Sequence, residues 1–143
     1  MNNARYDGMG FGTQTAGAVA GGSATAAIAN VEEYNGTSWT NATAMANPQR
    51  IGGSVGTQTD ALIFGGFVGP SETKSTLAQG YDGTTWSSRP SMGTARIQIS
   101  PASAGTSVLT LGAGGNLQNP VTNATEEFTG ETTALNIKTF STS

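Results

Sequence analysis

The sequence predicts an all-β protein made of three repeated units, each with four short antiparallel strands. Three segments share a length, a Gly-Thr opening and a closing glycine pair, and they read GTQTAGAVAGG (12–22), GTQTDALIFGG (56–66) and GTSVLTLGAGG (105–115). The order Met, Arg, Gly-Thr, Gly-Gly, aromatic recurs with a period of 44 to 49 residues. A fixed period of this size indicates a solenoid, propeller or similar repeat architecture. The predicted units are residues 1–43, 44–90 and 91–143.

The second unit shows most clearly how the four strands are assigned. Strand a follows Arg50 in RIGGSVG, and strand b is the apolar run DALIFGG. Strand c ends at Tyr81, and strand d begins at Trp86 after an Asp-Gly turn signal. A continuous apolar run such as strand b is typical of a strand buried on both faces. We therefore expect strand b to lie between neighbouring sheets, with the glycine pair turning the chain out of the layer.

The helix-like stretch SATAAIAN (23–30) is predicted to be loop and strand. It falls where the other two units have the loop between strands b and c. The corresponding b–c loops are residues 23–30, 67–76 and 116–124. Loops of this kind are where binding specificity is usually carried, because a rigid scaffold positions them at the surface.

The composition restricts the chemistry that the chain can perform. The 143 residues include no cysteine and no histidine, so disulfides, thiolate or imidazole metal ligands and His- or Cys-based catalysis are excluded. The net charge is −3 and no run of Lys or Arg occurs, which argues against nucleic acid or a polybasic membrane contact. No apolar run is long enough to span a membrane. We expect no cofactor.

Four antiparallel strands repeated around an axis describe a β-propeller. The order Met, Arg, apolar strand, Gly-Gly, Tyr, Trp resembles the Kelch repeat of β-propellers over nearly the whole chain, and best in the second unit. The sequence pattern GTQT…FGG…EEYNGTSW also resembles Kelch-like repeats of bacteriophage structural and tail-fibre proteins. The chain departs from the Kelch pattern in its shorter Tyr-to-Trp spacing, in Thr133 where the third unit should have Trp, and in Gln79-Gly80 instead of Glu-Glu.

Three units leave a Kelch-like propeller incomplete, since propellers usually close with 4 to 8 blades. The two end blades would each expose an apolar face, which favours association. We expect the partner to be a second copy, so that a head-to-tail homodimer supplies six blades. A four-bladed ring, completion by other virion proteins, a longer parent array and an open filament are the alternatives. Met1 aligns with Met45 and Met92, which fits a gene starting at a unit boundary or the later part of a longer array.

Three arginines, Arg5, Arg50 and Arg96, recur just before strand a. The Kelch resemblance implies that the innermost strand lines a central channel, where these arginines would bind acidic peptides or acidic glycans. The alternative is structural, with each arginine bonding carbonyls of the next unit or pairing with Glu32-Glu33 or Glu126-Glu127. Repetition in every unit favours the structural role, because a ligand site needs only one or two copies.

The repeated aromatic and glycine positions are predicted to be structural. Trp39 and Trp86 are expected to pack under the outer strands, with sugar stacking as the alternative. The same packing role is predicted for Tyr34, Tyr81 and Phe128, and a turning role for the glycine pairs Gly21, Gly22, Gly65, Gly66, Gly114 and Gly115. The loop 67–76 supplies Phe67, Glu72 and Lys74 as candidate contact residues.

These observations predict a non-enzymatic structural or adhesion module, a tail-fibre or decoration protein of a phage virion that presents loops to a host glycan, a receptor or another virion protein. A cytoplasmic Kelch-type scaffold that binds a peptide at the channel mouth is the first alternative. A carboxylate-based glycan-processing enzyme is the weakest, because adjacent acids such as Glu32 and Glu33 point to opposite faces of a strand.

Overall fold

The computed structural model describes residues 1–70, 73–102, 104–117 and 120–129, and the backbone of 137–140. The prediction of an all-β protein is confirmed, with four antiparallel sheets in the described chain. The first sheet contains β1 (Met9–Gly12), β2 (Gly17–Ala20), β3 (Val31–Tyr34) and β4 (Trp39–Ala42) in that order. A small sheet follows, made of β5 (Gln49–Arg50), β8 (Phe67–Val68) and β9 (Thr73–Lys74).

Two more four-stranded sheets repeat the plan of the first. The second sheet contains β6 (Gly53–Thr57), β7 (Asp60–Phe64), β10 (Ala78–Tyr81) and β11 (Trp86–Arg89). The third contains β12 (Ser100–Pro101), β13 (Leu109–Ala113), β14 (Thr125–Thr129) and β15 (Ile137–Phe140). Each large sheet lies within one of the units predicted from the sequence. Over the described residues the four sheets do not close into a barrel or a propeller. None of these residues forms a helix that could cross a membrane.

Strand b of the second unit, β7, lies between the first and the third large sheets. Its Ala61, Leu62, Ile63 and Phe64 are all fully buried, as the continuous apolar run predicts. Successive side chains point to opposite faces, so Ala61 and Ile63 enter the core shared with the first sheet, whereas Leu62 and Phe64 enter the core shared with the third. One strand thus supplies both of the hydrophobic cores that hold the three sheets together.

The glycine pair after each strand b has the conformation that the sequence predicts. Gly65 and Gly66 have φ angles of 66° and 85°, and the pairs at 21–22 and 114–115 are also left-handed. A Cβ on Gly66 would lie 2.4 Å from the Arg50 carbonyl oxygen, which leaves no room for a side chain. The pair therefore satisfies two needs, a left-handed turn and a close approach of the backbone.

Beyond each glycine pair, a short ladder of bridges replaces the predicted loop. In the second unit this ladder is the small sheet of β5, β8 and β9. In the first unit Ser23 bridges Tyr6 and Ala27, and in the third Asn116 bridges Ile97 and Val121. Residues 23–30 contain no helix, as predicted.

The ladders also correct the alignment of the arginines. Tyr6 and Ile97 bridge the residue that follows the glycine pair, and in the second unit it is Arg50 that pairs with the corresponding Phe67. Gln49, not Arg50, therefore occupies the position of Arg5 and Arg96. The sequence alignment of the three arginines was wrong by one residue in the second unit, because it matched residue type where the backbone matches the neighbouring glutamine.

A residue with a left-handed backbone conformation directly follows Tyr6, Arg50 and Ile97, and hydrogen bonds between these left-handed residues join successive units. Asp7, Ile51 and Gln98 have φ angles of 58°, 56° and 55°. The Ile51 N–H donates to the Asp7 carbonyl, and the Gln98 N–H donates to the Ile51 carbonyl. Positive φ is costly for a β-branched residue such as Ile51, so this joint is maintained by its surroundings rather than by local preference.

The two tryptophans lie on equivalent strands but have different surroundings. Trp86 stacks on Tyr81 at 4.7 Å and meets the Phe11 ring edge-on at 6.4 Å. Its indole N–H donates to the Thr43 carbonyl at 2.9 Å, across the contact between the first two sheets. Trp39 contacts Tyr34 at 5.1 Å within its own sheet. Trp86 therefore packs between two sheets, whereas Trp39 packs against its own sheet.

We expect the Trp86→Ala substitution to lower the free energy of unfolding by about 3 kcal/mol, because it removes a packed ring between two sheets. Trp39→Ala should cost about 1 kcal/mol, because that ring contacts only its own sheet. Urea unfolding of both variants at low protein concentration measures the difference. Equal losses would contradict the distinct placements of the two rings.

Candidate functional site

A buried polar clamp ties together three segments of the first unit. The Arg5 guanidinium donates to the carbonyls of Gly21 and Asn30 at 3.0 and 2.8 Å, and it forms an ion pair with Glu32. The side chains of both members of the ion pair are at most 1% exposed. The clamp therefore connects the start of the unit, the end of β2 and the start of β3.

The second unit makes the same connection with two neutral amides. The Gln49 side-chain amide donates to the Gly65 and Leu77 carbonyls, and its oxygen accepts from Gln79 at 2.8 Å. Gln49 is in the place of Arg5, and Gln79 is in the place of Glu32. Cation and anion are both replaced, so no buried charge is left without a partner.

The third unit returns to the charged form of the clamp. Arg96 donates to the Ala124 carbonyl at 3.0 Å and pairs with Glu126 at 3.1 Å. Burial lowers the pKa of the Arg96 guanidinium, and the Glu126 charge partly offsets this. The structure thus shows the pairing with Glu32 and Glu126 that the structural alternative predicted, whereas the carbonyls that Arg5 and Arg96 bind belong to their own units and not to the next one. Both guanidinium groups are enclosed by the chain.

The Glu32 carboxyl is held in its charged form. Burial alone would raise its pKa, but hydrogen bonds from the Asn2 and Asn3 backbone, the Asn3 side chain and Arg5 hold it below its ordinary value. These four donors outweigh desolvation because each of them stabilises the carboxylate and not the protonated acid.

Arg50 has a different role from Arg5 and Arg96. Its guanidinium pairs with Asp7 of the first unit at 2.6 Å, and it lies 5.0 Å from the centre of the Phe67 ring, a cation–π distance. Phe67 is half-buried on β8. Arg50 and Phe67, two of the predicted contact residues, are therefore brought together, and they connect the ladder of the second unit to the first unit.

The remaining loop residues are divided between the ladders and the part of the chain outside the described residues. The Lys74 ammonium donates to the backbone and side-chain oxygens of Asn116, both at 3.1 Å, and so links the second and third ladders. Glu72 lies outside the described residues. Within the described ranges, no three His, Cys, Asp or Glu side chains are grouped to hold a metal ion.

The ladders also carry two large apolar side chains that the sequence reasoning missed. Tyr6 is 56% exposed in the first ladder, and Val121 is 77% exposed in the third. Together with half-buried Phe67 they give each ladder an apolar or aromatic side chain on what we call the ladder surface. The three residues occupy different positions of the repeat, because Tyr6 aligns with Arg50, Phe67 with Asn116 and Val121 with Lys74, so no sequence motif identifies them together.

Tyr81 and Phe128 line the contacts between sheets, as predicted for packing residues, whereas Tyr34 does not. Tyr81 and Phe128 are buried at 1% and 7% exposure. The Tyr81 hydroxyl donates to Glu33 of the first sheet at 2.7 Å, and burial together with this carboxylate raises the pKa of the Tyr81 phenol. Tyr34 is half-buried and lines an open groove of about 420 Å³ with Phe11, Gln14 and Trp39. A second groove of about 370 Å³ is lined by Ala102, Leu109, Leu111 and Glu127.

Comparison of the sequence with models of known protein families and with curated proteins found no match.

We expect Glu32→Gln to destabilise the fold by about 3 kcal/mol, because it leaves the Arg5 charge buried without its counter-ion. The double substitution Arg5→Gln/Glu32→Gln installs the amide pair found at Gln49 and Gln79. It should recover most of that loss, and chemical unfolding of both variants measures the recovery. A double variant less stable than the single variant would contradict the equivalence of the two clamps.

The charged clamp also predicts an acid sensitivity. The folded-state pKa of Glu32 lies below its ordinary value of 4.5, so its contribution is present above that value and is lost as the pH falls through the folded-state pKa. Unfolding free energies measured from pH 6 to pH 2 should therefore fall less steeply for the Arg5→Gln/Glu32→Gln variant than for the natural chain. Parallel curves would contradict this assignment.

Proposed function

We propose that the protein is a non-enzymatic structural and adhesion module, whose three units are blades of a Kelch-like propeller and whose ladder surface binds a glycan or a protein. The observation that carries the proposal is the different use of charged and apolar side chains. Charged groups connect parts of the chain, whereas large apolar side chains are exposed on the ladders.

The charged residues support an architectural role for the sheets. Arg5 and Arg96 are enclosed in the clamps, and Glu33 accepts the Tyr81 hydroxyl across two sheets. The Asp60 carboxylate accepts the Ser107 backbone N–H across the next pair of sheets, at 3.0 Å. An acid used in this way holds sheets in register, and it is not positioned as one of a pair around a scissile bond.

The ladder surface supports a binding role. Tyr6 and Val121 are exposed, and aromatic side chains provide large, rigid contact areas to sugars and proteins. Tyr6 is fixed by its bridge to Ser23 and by the Ser23 hydroxyl, which donates to the phenol oxygen at 3.2 Å. The Arg50–Phe67 contact and the Lys74–Asn116 bonds make the middle ladder rigid, so the surface loses little entropy on binding.

The resemblance of the repeats to those of bacteriophage structural and tail-fibre proteins supports a proposal for where the protein is located and what it binds. We propose the virion as the location and a host-surface glycan or receptor as the ligand. The ligand would lie across the ladders, since these lie at one end of each sheet, where strand b leaves through its glycine pair.

We expect Tyr6→Ala and Val121→Asp each to weaken binding to intact host cells and to an array of bacterial surface glycans about ten-fold or more. Surface-plasmon or array measurements on purified protein test this. Tyr6→Phe keeps the ring and should keep most of the affinity if the ring supplies the contact.

The control is Thr37→Ala, an exposed residue in the turn between β3 and β4, at the opposite end of the first sheet from its ladder. Its binding should equal that of the natural chain. Binding that is unaffected by both ladder substitutions, or that is lost with Thr37→Ala, would show that the ladders are not the contact surface.

A further inference from the structure

Each large sheet has two faces with different neighbours. We call the face that packs on the next sheet along the chain its trailing face, and the face that packs on the preceding sheet its leading face. The trailing face of the first sheet meets the leading face of the second in one core, and the trailing face of the second meets the leading face of the third in the other. The same arrangement is therefore used twice within one chain.

The chain leaves two such faces uncovered among the described residues. On the leading face of the first sheet, Tyr34 is half-buried, whereas the equivalent Tyr81 is 1% exposed. On the trailing face of the third sheet, Leu111 is half-buried and Leu109 is 58% exposed, whereas Leu62, the counterpart of Leu111, is fully buried. The two grooves lie on these two terminal sheets, and each is lined in part by its uncovered face, the first by Tyr34 and the second by Leu109, Leu111 and Glu127.

The polar residues on these faces are complementary. Within the chain, the Tyr81 hydroxyl on a leading face donates to Glu33 on a trailing face. The next contact pairs Phe128, which has no hydroxyl, with the sheet that carries Gly80 at the position of Glu33. Glu33, Gly80 and Glu127 are equivalent, because each pairs with the corresponding residue of its strand b. The uncovered leading face carries a tyrosine, Tyr34, and the uncovered trailing face carries a carboxylate, Glu127.

Two kinds of backbone hydrogen bond recur between successive units, and each kind keeps the same direction from donor to acceptor. The Gly22 N–H donates to the Gln49 carbonyl at 3.0 Å, and the Gly66 N–H donates to the Arg96 carbonyl at 2.8 Å. Continuing this series gives the Gly115 N–H and the Arg5 carbonyl. The left-handed residues give the second series, whose continuation joins the Asp7 N–H to the Gln98 carbonyl.

A side-chain hydrogen bond from the turn between strands a and b also connects successive sheets. The Gln58 amide donates to the Gly17 and Tyr34 carbonyls of the preceding sheet at 2.9 and 3.2 Å. Gln14 is at the same place in the identical GTQT segment of the first unit, and it is exposed. The corresponding acceptors on the third sheet are the carbonyls of Thr110 and Phe128.

We propose that the leading face of the first sheet docks on the trailing face of the third sheet of a second copy of this chain. The Tyr34 hydroxyl then donates to Glu127 of the second copy, and Gln14 donates to its Thr110 and Phe128 carbonyls. The contact is head-to-tail, so it produces a closed ring or an open filament and not a face-to-face dimer. This deepens the proposed function, since it names the partner that covers the end sheets.

Cross-linking tests the pairing of the two faces directly. The chain has no cysteine, so Tyr34→Cys and Glu127→Cys each place a single thiol on one face. A short bis-maleimide should join a Tyr34→Cys copy to a Glu127→Cys copy, and it should not join two Tyr34→Cys copies. Cross-links only between like variants would overturn the proposal, and so would a single-chain mass at every concentration in sedimentation velocity, which would assign both faces to another protein.

A double-mutant cycle tests the predicted hydrogen bond. Tyr34→Phe and Glu127→Gln should each weaken self-association about ten-fold, and the double variant should be no weaker than either single variant. Fully additive losses would show that the two residues do not meet. Lys138 lies opposite Glu127 in the strand register, so Lys138→Gln is measured beside Glu127→Gln to separate a charge effect within the sheet.

The matched control removes the same chemistry inside one chain. Tyr81→Phe and Glu33→Gln should lower the stability of the fold and leave the self-association constant unchanged. The outcome is also separable from that of the ligand-binding proposal. Loss of glycan or cell binding with intact self-association refutes only the ladder surface, whereas a monomer that still binds refutes only the docking.

Discussion

A buried polar side chain at the start of each unit holds together segments that are far apart in sequence. In the first unit Arg5 binds the end of strand b and the start of strand c, and Glu32 closes the arrangement. Hydrophobic packing alone gives no such registry, because it is not directional. A clamp of hydrogen bonds fixes which carbonyls meet, and it explains how a chain with only 10% charged residues keeps several of them buried. The amide version at Gln49 and Gln79 shows that the geometry, and not the charge, is the requirement.

Successive units are held together by packing between the faces of their large sheets. β7 supplies side chains to both cores, so the middle sheet is covered on both sides, while within the described ranges the outer sheets each retain one uncovered face. Repetition of one sheet-on-sheet contact therefore leaves one face of the first sheet and one face of the third sheet without a neighbouring sheet among the described residues. Polar pairs such as Tyr81 with Glu33 select the neighbour in register, and packed rings such as Trp86 on Phe11 add adhesion between the sheets.

Much of this fold is visible in the sequence. The strands of each unit, the burial of β7, the left-handed glycine pairs and the absence of a helix at 23–30 follow from period, apolar runs and turn residues. The clamp of the second unit could not be found in this way, because Arg50 offered a better match in residue type than Gln49 and only hydrogen-bond partners reveal the equivalence. The ladder residues Tyr6 and Val121 share no motif with Phe67, and only backbone bridges show that each of them belongs to a ladder. Ile51 gave no signal at all, since a β-branched residue is a poor candidate for a left-handed turn.

The joint formed by Asp7, Ile51 and Gln98 uses backbone atoms, and its three side chains have nothing in common. Any residue tolerated at that φ angle can therefore occupy it, and the chain can diversify there without losing the connection between units. A joint that does not depend on side-chain identity also suits gene duplication. A further copy of residues 44–90, spliced in after the second unit, would meet donors and acceptors of the correct polarity on both sides. Its glutamine clamp would introduce no charge at the clamp, whereas its Tyr81 hydroxyl would meet Gly80 in place of Glu33 and its Arg50 would meet Ile51 in place of Asp7. The backbone joints can thus be copied unchanged, but these two side-chain contacts would need new partners.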